Sequence, residues 1–176
     1  MTSCSSSSAD RTAGVSSVGR AASRSLELDT KFPLKSLIAT APALDLRASL
    51  NRNWSEVSPV PGPDNRIEQQ TPLSGTLGLD WKAGAWTTGA SFAFRSSSLV
   101  RSSADRWTYA RAGRDLDAYA VWKAGTKLQL RFALANLLRQ DNGFEVRYAD
   151  PVAGLLKRSW TYPGSVKLRT TLESTV

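Results

Sequence analysis

The stretch GLDWKAGAWTTGASFAF, residues 78–94, decides how the chain is read. Before its Lys-Ala-Gly-Ala break, Leu73, Gly75, Leu77, Leu79 and Trp81 alternate with Ser74, Thr76, Gly78 and Asp80. After it, Trp86, Thr88, Ala90, Phe92 and Phe94 alternate with Thr87, Gly89, Ser91, Ala93 and Arg95. Successive side chains of a strand point to opposite faces, so both halves read as strands with one apolar and one small-polar face. Trp81 and Trp86 stand at the mouth of the turn, where a hairpin in water favours polar residues.

The same period of two recurs along the chain. Leu44, Leu46, Ala48, Leu50 and Trp54 oppose Asp45, Arg47, Ser49, Asn51 and Asn53. Leu116, Ala118, Ala120 and Trp122 form another row, and Leu128, Leu130, Phe132 and Leu134 alternate with Gln129, Arg131, Ala133 and Ala135. Val166, Leu168, Thr170 and Leu172 alternate with Lys167, Arg169, Thr171 and Glu173. With SLELDTKF near the start and LLKRSWTY near the end, the pattern predicts about eight strands. Pro33 interrupts the first and predicts a bulge or an edge. Residues 1–22, rich in Ser, Ala, Gly and Arg, read as a disordered leader, and residues 23–176 as the folded part.

Connections alternate in length. Residues 82–85, 123–126 and 163–164 are short, whereas residues 56–70, 96–113 and 139–154 are long and polar. An antiparallel up-and-down meander with short turns at one end and long loops at the other is the layout of a transmembrane β-barrel. Trp81, Trp86, Trp122 and Trp160 then fall at one rim, and Trp54 and Phe94 at the other. An indole at a membrane–water boundary buries its ring and keeps its N–H wet. The polar face sets Asp45, Arg47, Asp80 and Arg131 among Gly78, Gly89, Ser91 and Ala133, as an inner wall shared by many strands requires. The soluble alternatives are a β-sandwich or a small-ligand barrel. In such a barrel the apolar face turns inward and Leu44, Leu46, Leu77, Leu79, Phe92 and Leu130 line a cavity.

Composition narrows the chemistry. The net charge of +8 fits an anionic partner: nucleic acid, a membrane surface or an acidic ligand. The chain has no histidine, and Cys4, its single cysteine, lies in the leader. Histidine acid–base catalysis and His/Cys metal centres are therefore out of reach, and no enzyme activity, cofactor or metal is expected. Asp45, Asp80, Asp115 and Asp117 could form carboxylate pairs, but Asp115 and Asp117 are expected to pair with Arg114, Arg131 or other cations. Trp107 and Tyr109 lie among Arg101, Arg106, Arg111 and Arg114, a mixture able to grip nucleic acid. It equally fits lipopolysaccharide phosphates or an anionic ligand, and nucleic acid is not the expected partner. The segment Pro61-Gly62-Pro63-Asp64-Asn65 reads as a loop apex. No run approaches the roughly 18 apolar residues of a spanning helix, and the N-terminus lacks the apolar core of a secretory signal.

Taken together, residues 44–94, residues 114–141 and the tail RSWTYPGSVKLRTTLE resemble the C-terminal strands of TonB-dependent outer-membrane receptors. Asn136-Leu137-Leu138 is similar to that family's Asn-Leu-aromatic motif. The likeness covers about residues 23–173. It implies a barrel of about 22 strands around an N-terminal plug, importing a ferric siderophore, cobalamin or another scarce nutrient with force transmitted by TonB. Implied surroundings are lipid and lipopolysaccharide of the outer membrane of a Gram-negative bacterium. No plug or TonB-contacting segment is recognisable, and the chain closes on ESTV where such barrels end on an aromatic residue. The chain is thus expected to be a C-terminal portion, not transport-competent alone, with TonB engaged only through the absent plug. The alternative is an autonomous eight-stranded barrel that binds a small ligand or is a structural protein of the membrane.

Overall fold

The computed structural model describes residues 20–174. Most of the expected leader lies outside the described residues, but Ala21 and Ala22 already belong to the first strand. The described chain is all-β and antiparallel, with eleven strands rather than about eight. Seven of them form one long sheet. In chain order these are β1 (Ala21–Pro33), β2 (Leu44–Val57), β3 (Leu73–Ala83), β4 (Trp86–Arg95), β7 (Gly113–Lys123), β8 (Leu128–Ala135) and β11 (Lys167–Ser174). A second sheet is made by β5 (Ser98–Arg101), β6 (Arg106–Ala110), β9 (Asn142–Asp150) and β10 (Gly154–Tyr162), in the order β10-β9-β6-β5.

Register converts the period of two into two chemically distinct faces. One carries the rows Ala48–Leu77–Phe92–Leu116 and Leu46–Leu79–Ala90–Ala118–Leu134–Leu168. The other carries Arg47–Gly78–Ser91–Asp117 and Ser49–Thr76–Ala93–Asp115. The β3–β4 turn has only Gly84 and Ala85 between the paired Ala83 and Trp86, and Gly84 takes φ 57°. A positive φ at the first of two central residues is what a type II′ hairpin needs, and glycine supplies it without steric cost. Pro33 ends β1, an edge strand where its missing N–H deprives no neighbour. Since neighbours alternate in direction, β1 and β11, the two edges, run the same way.

The long polar loops are corrected by the structure. Residues 96–113 and 139–154 contain β5, β6 and β9, and LLKRSWTY lies in β10 of the second sheet rather than in a strand of the long sheet. These strands follow from pairing across inserted hairpins, Val100 with Thr108 and Thr108 with Val146, which short Ser- and Arg-rich segments do not announce. Residues 163–164 consequently lie at the long-loop end. Trp160 moves with them: it stacks on Phe144 in the second sheet with centroids 4.5 Å apart, whereas Trp81, Trp86 and Trp122 belong to the long sheet.

No strand of the second sheet packs extensively on a strand of the first, so the two are not layers of a sandwich. Among the described residues the buried apolar side chains are Val100 and Val146, both in the second sheet. The apolar face of the long sheet is open. Leu77 is 54% exposed and Leu168 69%, and the sheet does not close around Leu44, Leu46, Leu77, Leu79, Phe92 and Leu130.

Asn136 makes the corner between the sheets. At φ 54° its N–H donates to Asp117 Oδ1 (2.8 Å) and its side-chain amide to the Ser165 carbonyl (3.2 Å), while Leu137 N–H reaches the Leu116 carbonyl (2.8 Å). Asn136→Ala should lower stability by about 1–2 kcal/mol, combining a left-handed backbone penalty with a lost hydrogen bond. Asn136→Gly should lose less, as read by urea unfolding of the detergent-folded chain.

Candidate functional site

Two polar constellations are built on this frame. The first lies on the polar face of the long sheet. Asp80 of β3 meets Arg47 of β2 at 2.5 Å and accepts the Tyr119 hydroxyl of β7 at 2.5 Å. Arg131 of β8 sits over the Tyr119 ring, 5.2 Å from its centroid, and Lys82 bridges to Asp45 at 3.0 Å. Four strands are thereby tied by charge-assisted contacts across one wall. Gly89 makes room for them. A Cβ there would lie 2.5 Å from Tyr119 Cε1, 2.6 Å from Asp80 Oδ1 and 2.8 Å from the Leu79 carbonyl oxygen.

The carboxylates divide. Asp45 and Asp80 are ion-paired on this wall. Asp115 and Asp117 have no ion pair within 4.0 Å among the described residues. Asp117 instead accepts the Asn136 N–H. Their expected partners are committed elsewhere: Arg131 to Tyr119, whereas Arg114 pairs with Phe94 on the opposite, apolar face.

The second constellation is a cavity of about 460 Å³ at the long-loop end. Its floor is one face of the second sheet, with Val100, Thr108, Phe144 and Val146, and residues 68–71 of the β2–β3 loop form its other side. Arg95, Arg106 and Arg111 line it with Glu68. Arg95 donates to Asn142 Oδ1, Arg106 lies 5.7 Å from the centre of the Tyr148 ring, and Glu68 accepts the Ser102 hydroxyl. The loop is anchored by Arg101. Its N–H donates to the Asp64 carbonyl at 2.7 Å, and its guanidinium donates to the carbonyls of Pro61, Gly62, Ser103 and Ala104. The predicted apex is thus a packed loop with Asp64 at φ 69°.

The chain matches no protein-family model, no curated protein and no solved structure.

The Arg-aromatic cluster read from the sequence is split by the strand pleat. Arg101, Trp107 and Arg147 share one face of the second sheet, and Arg106, Thr108 and Tyr148 the other. With Arg101 spent on backbone carbonyls, Trp107 and Tyr109 form no continuous grip with Arg106 and Arg111. Sequence reasoning missed Arg95, whose place beside the cavity depends on β4 running into the β5–β6 hairpin; the Phe144, Val146, Tyr148 alternation was the one available signal.

On the outer face of the second sheet, buried Glu145 accepts from Lys157 (2.7 Å) and Arg147 (2.5 Å), and these donors hold its carboxyl below the usual range. A depressed folded value means that this stabilisation is present above the glutamate's unfolded pKa, about 4.3, and is lost as pH falls through the folded value. Lys157→Met should bring acid unfolding of the second sheet to higher pH, followed by Trp fluorescence. On the wall, Gly89→Ala should cost about 1–3 kcal/mol through overpacking against Tyr119 and Asp80, and the measurement is the urea midpoint.

Proposed function

We propose that the long sheet is a section of outer-membrane β-barrel wall whose apolar face meets lipid and whose polar face meets the barrel interior. The observation that carries this reading is the open apolar face, bounded at each end by aromatic residues. Trp86 and Trp122 pair across β4 and β7, their rings 6.1 Å apart, with Trp81 nearby at the short-turn end. Phe94 and Trp54 stand toward the other end. From Trp86 to Phe94 is eight residues along β4, or about 27 Å at the rise of an antiparallel strand. With a barrel tilt of about 40° that becomes roughly 20 Å, close to the apolar band of about 25 Å of outer-membrane barrels.

A face of this size exposed to water would drive aggregation, whereas hydrocarbon accommodates it at no cost. The ion-paired wall around Asp80 suits the interior of such a barrel, where side chains of neighbouring strands share a wet space. The second sheet then extends the wall on the outer side.

Within that architecture the chain serves as the C-terminal portion of a TonB-dependent receptor for a scarce nutrient such as a ferric siderophore or cobalamin. The support is the sequence resemblance, joined to a wall with short turns at one end and a folded, ligand-sized cavity at the other. Lipid and lipopolysaccharide surround it, and coupling to TonB comes through a plug carried elsewhere. An autonomous small barrel is the competing reading.

Site-directed spin labels in a Cys4→Ser background test the wall. Labels at Leu77 and Phe132 should be accessible to oxygen dissolved in bilayer and shielded from a water-soluble nickel complex, and labels at Ser91 and Thr171 the reverse. Water accessibility at Leu77 and Phe132 in reconstituted vesicles would overturn the reading. Co-expression with the plug-bearing remainder of a receptor separates the portion from the autonomous barrel: the portion yields TonB-dependent uptake only in combination.

A further inference from the structure

The cavity at the outer end is more than a gap between loop and sheet. Its floor is apolar, built from Val100, Phe144 and Val146, and among the described residues Val100 and Val146 are the two buried apolar side chains of the chain. Arg95, Arg106 and Arg111 also line the cavity, from the end of β4, the start of β6 and the residue after β6. No described carboxylate lies within 4.0 Å of any of the three guanidinium groups, whereas Arg47 and Arg147 are ion-paired and Arg101 is consumed by carbonyls. Glu68 is the one acidic residue lining the space, which leaves a surplus of two positive charges.

We propose that this cavity is an anion site for a small molecule carrying two or more carboxylate or phosphate groups. Three points support that class. Guanidinium forks match the planar oxygens of carboxylates and phosphates, and a low-dielectric floor strengthens the attraction relative to bulk water. Three arginines that line one cavity from separate positions in the chain address separated charges better than a single one. The volume lies within the range of small-molecule pockets and is too small for a nucleic-acid strand to track through, while Trp107 and Tyr109, the bases' natural stacking partners, lie along β6 at positions that alternate with the lining residues Arg106, Thr108 and Ala110.

Supporting contacts prepare the site. Asn142 holds Arg95, and the Tyr148 ring lies beneath Arg106, so part of the ordering entropy of both side chains is already spent before a ligand arrives. Phe144 stacks on the rings of Trp160 and Tyr162 of β10, at 4.5 and 6.5 Å between centroids. Binding at this cavity does not depend on membrane insertion; that the bound anion is the imported nutrient does rest on the uptake reading above.

The test uses the full chain folded in neutral detergent, with circular dichroism as the check on β-structure. Inorganic pyrophosphate and propane-1,2,3-tricarboxylate are titrated by calorimetry, with methyl phosphate as the weaker, singly substituted comparison. Saturable one-to-one binding is expected for the first two, weakened about ten-fold or more by each of Arg95→Gln, Arg106→Gln and Arg111→Gln. Arg158→Gln, a change on the same face of the second sheet but outside the cavity, should leave affinity unchanged, and Arg106→Lys should retain part of it. Vesicles containing lipopolysaccharide supply the second source of phosphate: competition with pyrophosphate that the same three variants abolish assigns the site to the lipid headgroup, and its absence to a soluble anion. No saturable binding by folded protein, an equal loss in Arg158→Gln, or tighter binding of single-stranded DNA than of pyrophosphate overturns the proposal. Spin-label accessibility measured on the same samples reports separately on the wall, so anion binding without lipid contact sinks the barrel reading and leaves the site standing.

Discussion

Among the described residues, the long sheet depends on strand pairing without a core beneath it. Seven strands satisfy one another's backbone groups laterally, and the pleat sorts side chains into an apolar and a polar sheet face. In a globular domain a second layer would cover the apolar face and supply most of the stabilisation. Here the second sheet continues from one end of the first. Cohesion within the chain comes from ladders, from cross-strand contacts such as Trp86 with Trp122, and from the polar wall centred on Asp80. What the apolar face requires is a non-aqueous surrounding, and this requirement links the fold to the membrane reading.

The two ends of the sheet are built for different work. At one end the turns are tight, and Gly84 and Gly125 take positive φ values to keep them so. At the other, hairpins inserted between β4 and β7 and between β8 and β11 grow into a sheet of their own, with a loop anchored by Arg101. Beside their short apolar rows, Val100 with Val146 and Phe144, these insertions carry arginine, aromatic and amide side chains. The side chains of the proposed anion site are therefore concentrated outside the regular rows of the long sheet.

The long sheet was legible in the sequence because a period of two leaves the same signature in every strand: that Leu46, Leu79 and Leu134 lie on the apolar faces of their strands was set by local alternation, and register then joined them in a row. The position of Trp86 beside a glycine turn was legible for the same reason. The second sheet was not. β5 and β6 have four and five residues, too few to establish a period; β5 pairs with β6 alone, and β6 with β9, a partner more than thirty residues away in the chain. LLKRSWTY did announce a strand, but alternation gives no information on which sheet it joins. Asp45 and Asp80 face each other across β2 and β3, and each takes its cation from a diagonal neighbour, Lys82 and Arg47, a register that alternation alone does not give. The isolation of Asp115 from Arg114 follows from the pleat, since adjacent residues of a strand point to opposite sides.

The common direction of the two edge strands has an arithmetic consequence. In a closed ring of antiparallel strands directions alternate all the way round, so the total must be even. Seven strands leave β1 and β11 pointing the same way, and joining them directly would create a parallel seam. Two copies arranged head to tail in the same orientation would meet the same obstacle twice. Any antiparallel barrel that contains this sheet must therefore add an odd number of strands between its edges, the first and last of them running opposite to β1 and β11. A bundle of fifteen satisfies that condition as well as one does, and parity, rather than size, is what the sheet dictates to whatever completes it.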